Sequence, residues 1–130
     1  MIPRSLRHIV VSAAVSAVAL AACGGADSSA DTPALTPAGE AGREVAKDAG
    51  CMSCHGGSGE GGVGPSWQGL AGSMRPLTDG TEVVADRAYL ERAISDPGAE
   101  KVEGYAVAMP VAGLSPDQVS SIVDYLEELG

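Results

Sequence analysis

Apolar positions fall into runs of different character along the chain. From Ile9 to Ala22 every residue is Ala, Val, Leu or Ile except for two serines, and Arg4, Arg7 and His8 precede the run. A run of fourteen residues is too short for the roughly 20 that span a bilayer as a helix; after a basic start it predicts an export signal. Helical spacing begins later. Gly39 to Ala49 sets Val45, Ala46 and Ala49 on one side and Glu40, Glu44 and Asp48 elsewhere, and stops at Gly50. Asp86 to about Ser95 turns Leu90, Ala93 and Ile94 inward behind an Asp86 N-cap and halts before Pro97. The clearest pattern opens on Ser115-Pro116-Asp117-Gln118, a capping box with Pro at the first helical position. It continues as Val119, Ile122, Val123, Leu126 and Leu129, spaced for one helix face. Strand alternation is confined to a weak stretch at Glu82–Ala85, and Asp79-Gly80 marks a turn. Three short helices cannot seal a core alone, so the loops at 56–85 and 96–114 must wrap something.

Composition sharpens that conclusion. Of 130 residues only 3% are aromatic, with no Phe, although 45% are hydrophobic. Aromatic side chains normally bury about 150–250 Å² each, so another filler is required. Residues 23–130 hold 6 basic and 17 acidic groups, a net of −11. That excludes a nucleic-acid or anionic-lipid binder of the basic-patch kind. Gly24 to about Pro37 is small, polar and aperiodic, a tether by composition. The sequence Leu20-Ala21-Ala22-Cys23 resembles the bacterial lipoprotein box, which implies cleavage before Cys23 and acylation of it; ordinary cleavage near Ala21 is the alternative. The expected organisation is a signal peptide at 1–22, a lipidated Cys23 with its tether at 23–38, and one domain at 39–130. Localisation follows as exported, lipid-anchored, and facing the periplasm or cell exterior.

Chemistry concentrates in Cys51-Met52-Ser53-Cys54-His55, the C-x-x-C-H haem attachment signature. Two thiols three positions apart can add to the two vinyl groups on one edge of a porphyrin. The next residue then lies over the ring, where its imidazole can bind iron. A zinc site wants about four ligands, and beyond residue 22 the chain offers one paired Cys set and one His. A thioredoxin-like pair wants a βαβ context, while a plain Cys51–Cys54 disulfide stays open. One covalent haem c also supplies the missing core filler. His55 is the only His after the signal, so a second His ligand from this chain is excluded. The sixth position falls to a Met or stays open. Met52 is locked in the motif, leaving Met74 and Met109. Pro110 restricts Met109 to an extended strap, the better presentation of a sulfur.

From about Gly39 to Gly130 the chain resembles the class I c-type cytochromes, through the helix, C-x-x-C-H, Gly64-Pro65, middle helix, Met109-Pro110 and C-terminal helix. Within them it is similar to the cytochrome c domain fused to subunit II of caa-type oxidases. The run LTDGTEVVADRAYLERAISDPGAE and the string GYAVAMP carry that likeness. The resemblance implies an all-α fold of three main helices and long loops around the haem. It also implies Cys51 and Cys54 as attachment residues, His55 and Met109 as axial ligands, and a Pro65 carbonyl that orients His55. Trp67 and Tyr105 would line the haem or reach a propionate, or simply pack. Neither the copper-binding domain nor the membrane helix pair of such subunits is present, and Trp67 stands where Leu is common, so a separate lipoprotein is expected. Its expected role is electron carriage between a quinol-oxidising complex or dehydrogenase and a terminal oxidase. The alternatives are an electron-transfer subunit of one periplasmic dehydrogenase or reductase, a haem peroxidase or gas sensor, and a haem-free lipoprotein.

Overall fold

The computed structural model describes residues 34–130. The signal segment and Cys23 lie outside the described residues. Six elements follow one another: α1 (Pro37–Asp48), α2 (Met52–His55), β1 (Met74–Pro76), β2 (Glu82–Val84), α3 (Arg87–Ser95) and α4 (Pro116–Glu128). None of the described helices is long and apolar enough to cross a membrane.

α1 starts two residues before the sequence expectation. Thr36 caps it by accepting from the Gly39 N–H, and Pro37 takes the first helical position. The folded body reaches further still, because Leu35 packs against the core and the Thr36 N–H donates to Glu128 Oε2 at 2.8 Å. Leu35 and Thr36, read from the sequence as tether, thus pack with the folded body. The buried face of α1 also differs from expectation: it is Gly39, Gly42 and Ala46, with Val45 half-buried and Ala49 exposed. Its residues are selected by size. A methyl on Gly42 would fall inside the Ser121 carbonyl oxygen of α4 and 3.0 Å from Tyr125 Cβ. The two helices cross with backbones nearly touching.

α3 and α4 form as their caps require. Asp86 accepts from the Tyr89 N–H, and Ser115 and Gln118 satisfy each other's backbone N–H groups in a complete capping box. Arg87 joins these two helices, donating to Asp124 Oδ1 at 2.8 Å, Glu127 Oε2 at 2.9 Å and Ser120 Oγ at 2.9 Å. The core between α1, α3 and α4 holds Val119, Ile122, Val123 and Leu126 from the expected stripe. It also holds Trp67, Tyr89 and Tyr125, so three of the four aromatics are buried in it.

The weak strand at Glu82–Ala85 becomes β2, and β1 is its unforeseen antiparallel partner, with Arg75 opposite Val83. Three-residue strands leave no periodicity to read. The connecting turn is tied by Asp79, which accepts from the Thr81 N–H and hydroxyl at 2.9 and 2.7 Å. Met74 lies exposed on β1.

Candidate functional site

Helix α1 ends in a sharp reversal. Gly50 adopts φ 78°, which a side chain would resist, and lets the Cys51 N–H donate back to the Ala46 carbonyl at 3.0 Å. One turn of helix, α2, follows at once, closed by the His55 N–H on the Cys51 carbonyl at 3.1 Å. Cys51 and Cys54 thus share one turn with His55. Both thiols are half-buried and are not joined to each other. Burial pushes the Cys51 thiol above its ordinary pKa.

Among the described residues His55 is the one buried polar or charged side chain, 7% exposed. Its ring is held on several sides. Nδ1 lies 2.8 Å from the Pro65 carbonyl oxygen. A carbonyl can only accept, so Nδ1 donates, and in the neutral imidazole the lone pair is on Nε2. Nε2 hydrogen-bonds to none of the described residues. Trp67 stacks on the imidazole with centroids 4.7 Å apart and planes 21° from parallel. The backbone of Gly64 lies so close that a methyl there would be 2.7 Å from His55 Cε1. The loop carrying these groups is tied to α2, since the Gly64 N–H donates to the Cys54 carbonyl at 2.9 Å.

Cys51, Cys54, His55 and Pro65 are therefore brought into one cluster. Met109 belongs to a separate strap, packed against the core that Cys51 and Met52 also border. Among residues 104–113 it alone is not exposed. Tyr105, Val107 and Val111 on the same strap stand out at 39%, 63% and 70% exposure, as does Val63 beside the His55 loop at 53%. Trp67 and Gly64 are contacts that sequence reasoning did not assign to His55. Close spacing to Pro65 was the only available signal.

The donor set fits a haem attached by two thioethers. It presents two thiols on one turn and an imidazole whose outer nitrogen is pre-set as a lone-pair donor. No group of three His, Cys, Asp or Glu side chains converges as a metal cage among the described residues. The inward-facing Arg75 of β1 has a buried Nε without a partner among them, and a haem would bring two carboxylates to the interior.

Helices packed around a C-x-x-C-H turn, with the His tautomer already chosen, define a small haem-carrying protein of the class I c type. The family model described as Cytochrome c matches residues 39–130, and the chain belongs to the cytochrome c family. It is a haem-based electron carrier with covalently bound haem c, and it acts with redox partner proteins. No curated protein matches the chain.

Proposed function

We propose that the chain is a single-haem carrier with His55 and Met109 as axial ligands and Cys51 and Cys54 as attachment residues. It is exported, held at the membrane by acylated Cys23, and passes electrons from a quinol-oxidising complex or dehydrogenase to a terminal oxidase. The observation that carries this reading is the 2.8 Å contact between His55 Nδ1 and the Pro65 carbonyl, which leaves Nε2 available to a metal. Half-burial of Met109 within an otherwise exposed strap supports the second ligand.

Bound haem supplies one iron that alternates between the ferric and ferrous states. The residues do the rest. His55 is held in one tautomer and one orientation, and Met109 would supply the second ligand. With both residues bound, an iron would have no site left for a small ligand, and sulfur ligation would raise its potential. That separates a carrier from a peroxidase or gas sensor. Val63, Tyr105, Val107 and Val111 are exposed apolar side chains on an otherwise acidic domain. Four of the six basic residues in 34–130, Arg43, Lys47, Arg87 and Arg92, are engaged by acidic neighbours, which leaves the field negative and favours basic partners.

Met109→Ala tests the ligand assignment. The weak far-red charge-transfer band of sulfur-ligated ferric haem disappears and the potential falls. A band that survives refutes Met109 as ligand. Rapid, complete carbon monoxide binding by the unaltered ferrous protein refutes the carrier reading. Mass spectrometry of membrane-extracted protein, with and without Cys23→Ser, tests the anchor.

A further inference from the structure

We propose that Trp67 is a positioning residue that fixes the plane of the His55 imidazole, and that Tyr125 anchors it in turn. The inference rests on His55 being the iron ligand. A single hydrogen bond at Nδ1 restrains one edge of the ring but lets the ring rock about the line through its two nitrogens. A flat surface against the ring face removes that freedom. Trp67 supplies it, stacked at 4.7 Å and 21°. The backbone of Gly64 also closes on the ring, with no space for a side-chain carbon.

A positioning group must itself be immobile, and Trp67 is. It is 5% exposed, and its backbone N–H donates to the Gly59 carbonyl at 2.8 Å. Its ring meets Tyr125 edge-on, with centroids 6.0 Å apart and planes at 86°. Tyr125, 2% exposed, belongs to α4 at the place where that helix crosses Gly42 of α1. A continuous line of contacts thus runs from the helix crossing through Tyr125 and Trp67 to His55. Leu at position 67 would fill space but present no plane. Locking a functional group through a rigid neighbour and a rigid element is how a site keeps one geometry.

The test uses the full chain with haem attached, in the ferric state. Proton NMR of the four haem methyl groups and low-temperature EPR both report the orientation of the axial imidazole plane, which a purely space-filling residue would not set. Trp67→Leu should change the order or spread of the methyl resonances and broaden the largest g value. Trp67→Phe should restore the parent pattern. Tyr125→Leu should move the spectra in the same direction by less, and Tyr125→Phe should leave them unchanged. If the Leu variant holds no haem, Trp67→Met provides the same ring-free comparison. The proposal is overturned if the ring-free variant matches the parent, or if the Phe and ring-free variants shift alike. A parent protein that lacks a low-spin ferric spectrum with an axial imidazole would instead refute His55 as ligand.

Discussion

Gly42→Ala sets two effects of known sign against each other. In a helix interior Ala is favoured over Gly by about 1 kcal/mol, so propensity alone predicts a more stable protein. The structure predicts the reverse. The added methyl would overlap the Ser121 carbonyl oxygen and lie 2.8 Å from the carbonyl carbon and 3.0 Å from Tyr125 Cβ. All three are backbone or backbone-proximal atoms, so no flexible side-chain end can swing aside. α1 and α4 must separate by roughly 1 Å, and a gap of about 0.5–1 Å already forfeits a quarter to a half of each dispersion contact along the seam. Overpacking of this kind costs about 1–3 kcal/mol, and more where the seam is long. The separation would spread to Ala46, Ile122, Tyr125 and Leu126, so the upper end applies. Net of propensity, a loss of about 2 kcal/mol is expected, which lowers Tm by about 8–16 °C in a domain of this size. Guanidinium unfolding of the ferric protein, followed by circular dichroism and by haem absorbance, measures it. Gly57→Ala is the control: nothing lies within 4 Å of its added methyl, and its change should stay within about 0.5 kcal/mol. A Gly42→Ala protein as stable as the parent, or more so, would show that the close crossing is wrong.

Gly64→Ala crowds the His55 ring directly and should cost about 1–3 kcal/mol. It should also perturb the ferric spectrum; an unchanged spectrum and Tm would remove Gly64 from the site. Arg87→Ala unlinks α3 from α4, but the guanidinium is 39% exposed, so about 0.5–1.5 kcal/mol is expected, shrinking in 1 M salt. A loss that salt leaves untouched would contradict an ionic origin. The Glu128 carboxyl accepts from the Thr36 hydroxyl and N–H, which hold its pKa below the usual carboxylate value of about 4.3. A depressed folded pKa means stability that is present above the ordinary value and lost as pH falls through the folded one. The stability difference between the parent and Glu128→Gln should therefore be largest above the ordinary carboxylate value of about 4.3 and shrink as pH falls below it. A difference that grows in acid would reverse the assignment.

The legible parts of the molecule were those whose cause is local. α4 could be read because its capping box and five-membered stripe lie in one continuous segment. The attachment turn could be read because both thiols and the imidazole occupy five successive positions. α1 was displaced because Thr36-Pro37, a genuine start signal, sits in a stretch whose composition reads as tether. Its inner face was misjudged for a different reason. Gly39 and Gly42 look like poor helix formers until α4 is placed against them, and only then does their lack of a side chain become the requirement. β1 is three residues long and pairs across a loop, so no alternation could announce it. Tyr89 and Tyr125 lie beside their stripes rather than in them, yet both are buried. The stack of Trp67 on His55 depends on which way a glycine-rich loop folds back, and no spacing rule encodes that.

The crossing of α1 with α4 joins segments at opposite ends of the domain, and α4 is synthesised about 60 residues after the attachment turn. The packing that half-buries Cys51 and sets Tyr125 behind Trp67 cannot close until α4 exists. Closure of the core over the attachment turn is therefore a long-range event that waits on the last helix of the domain.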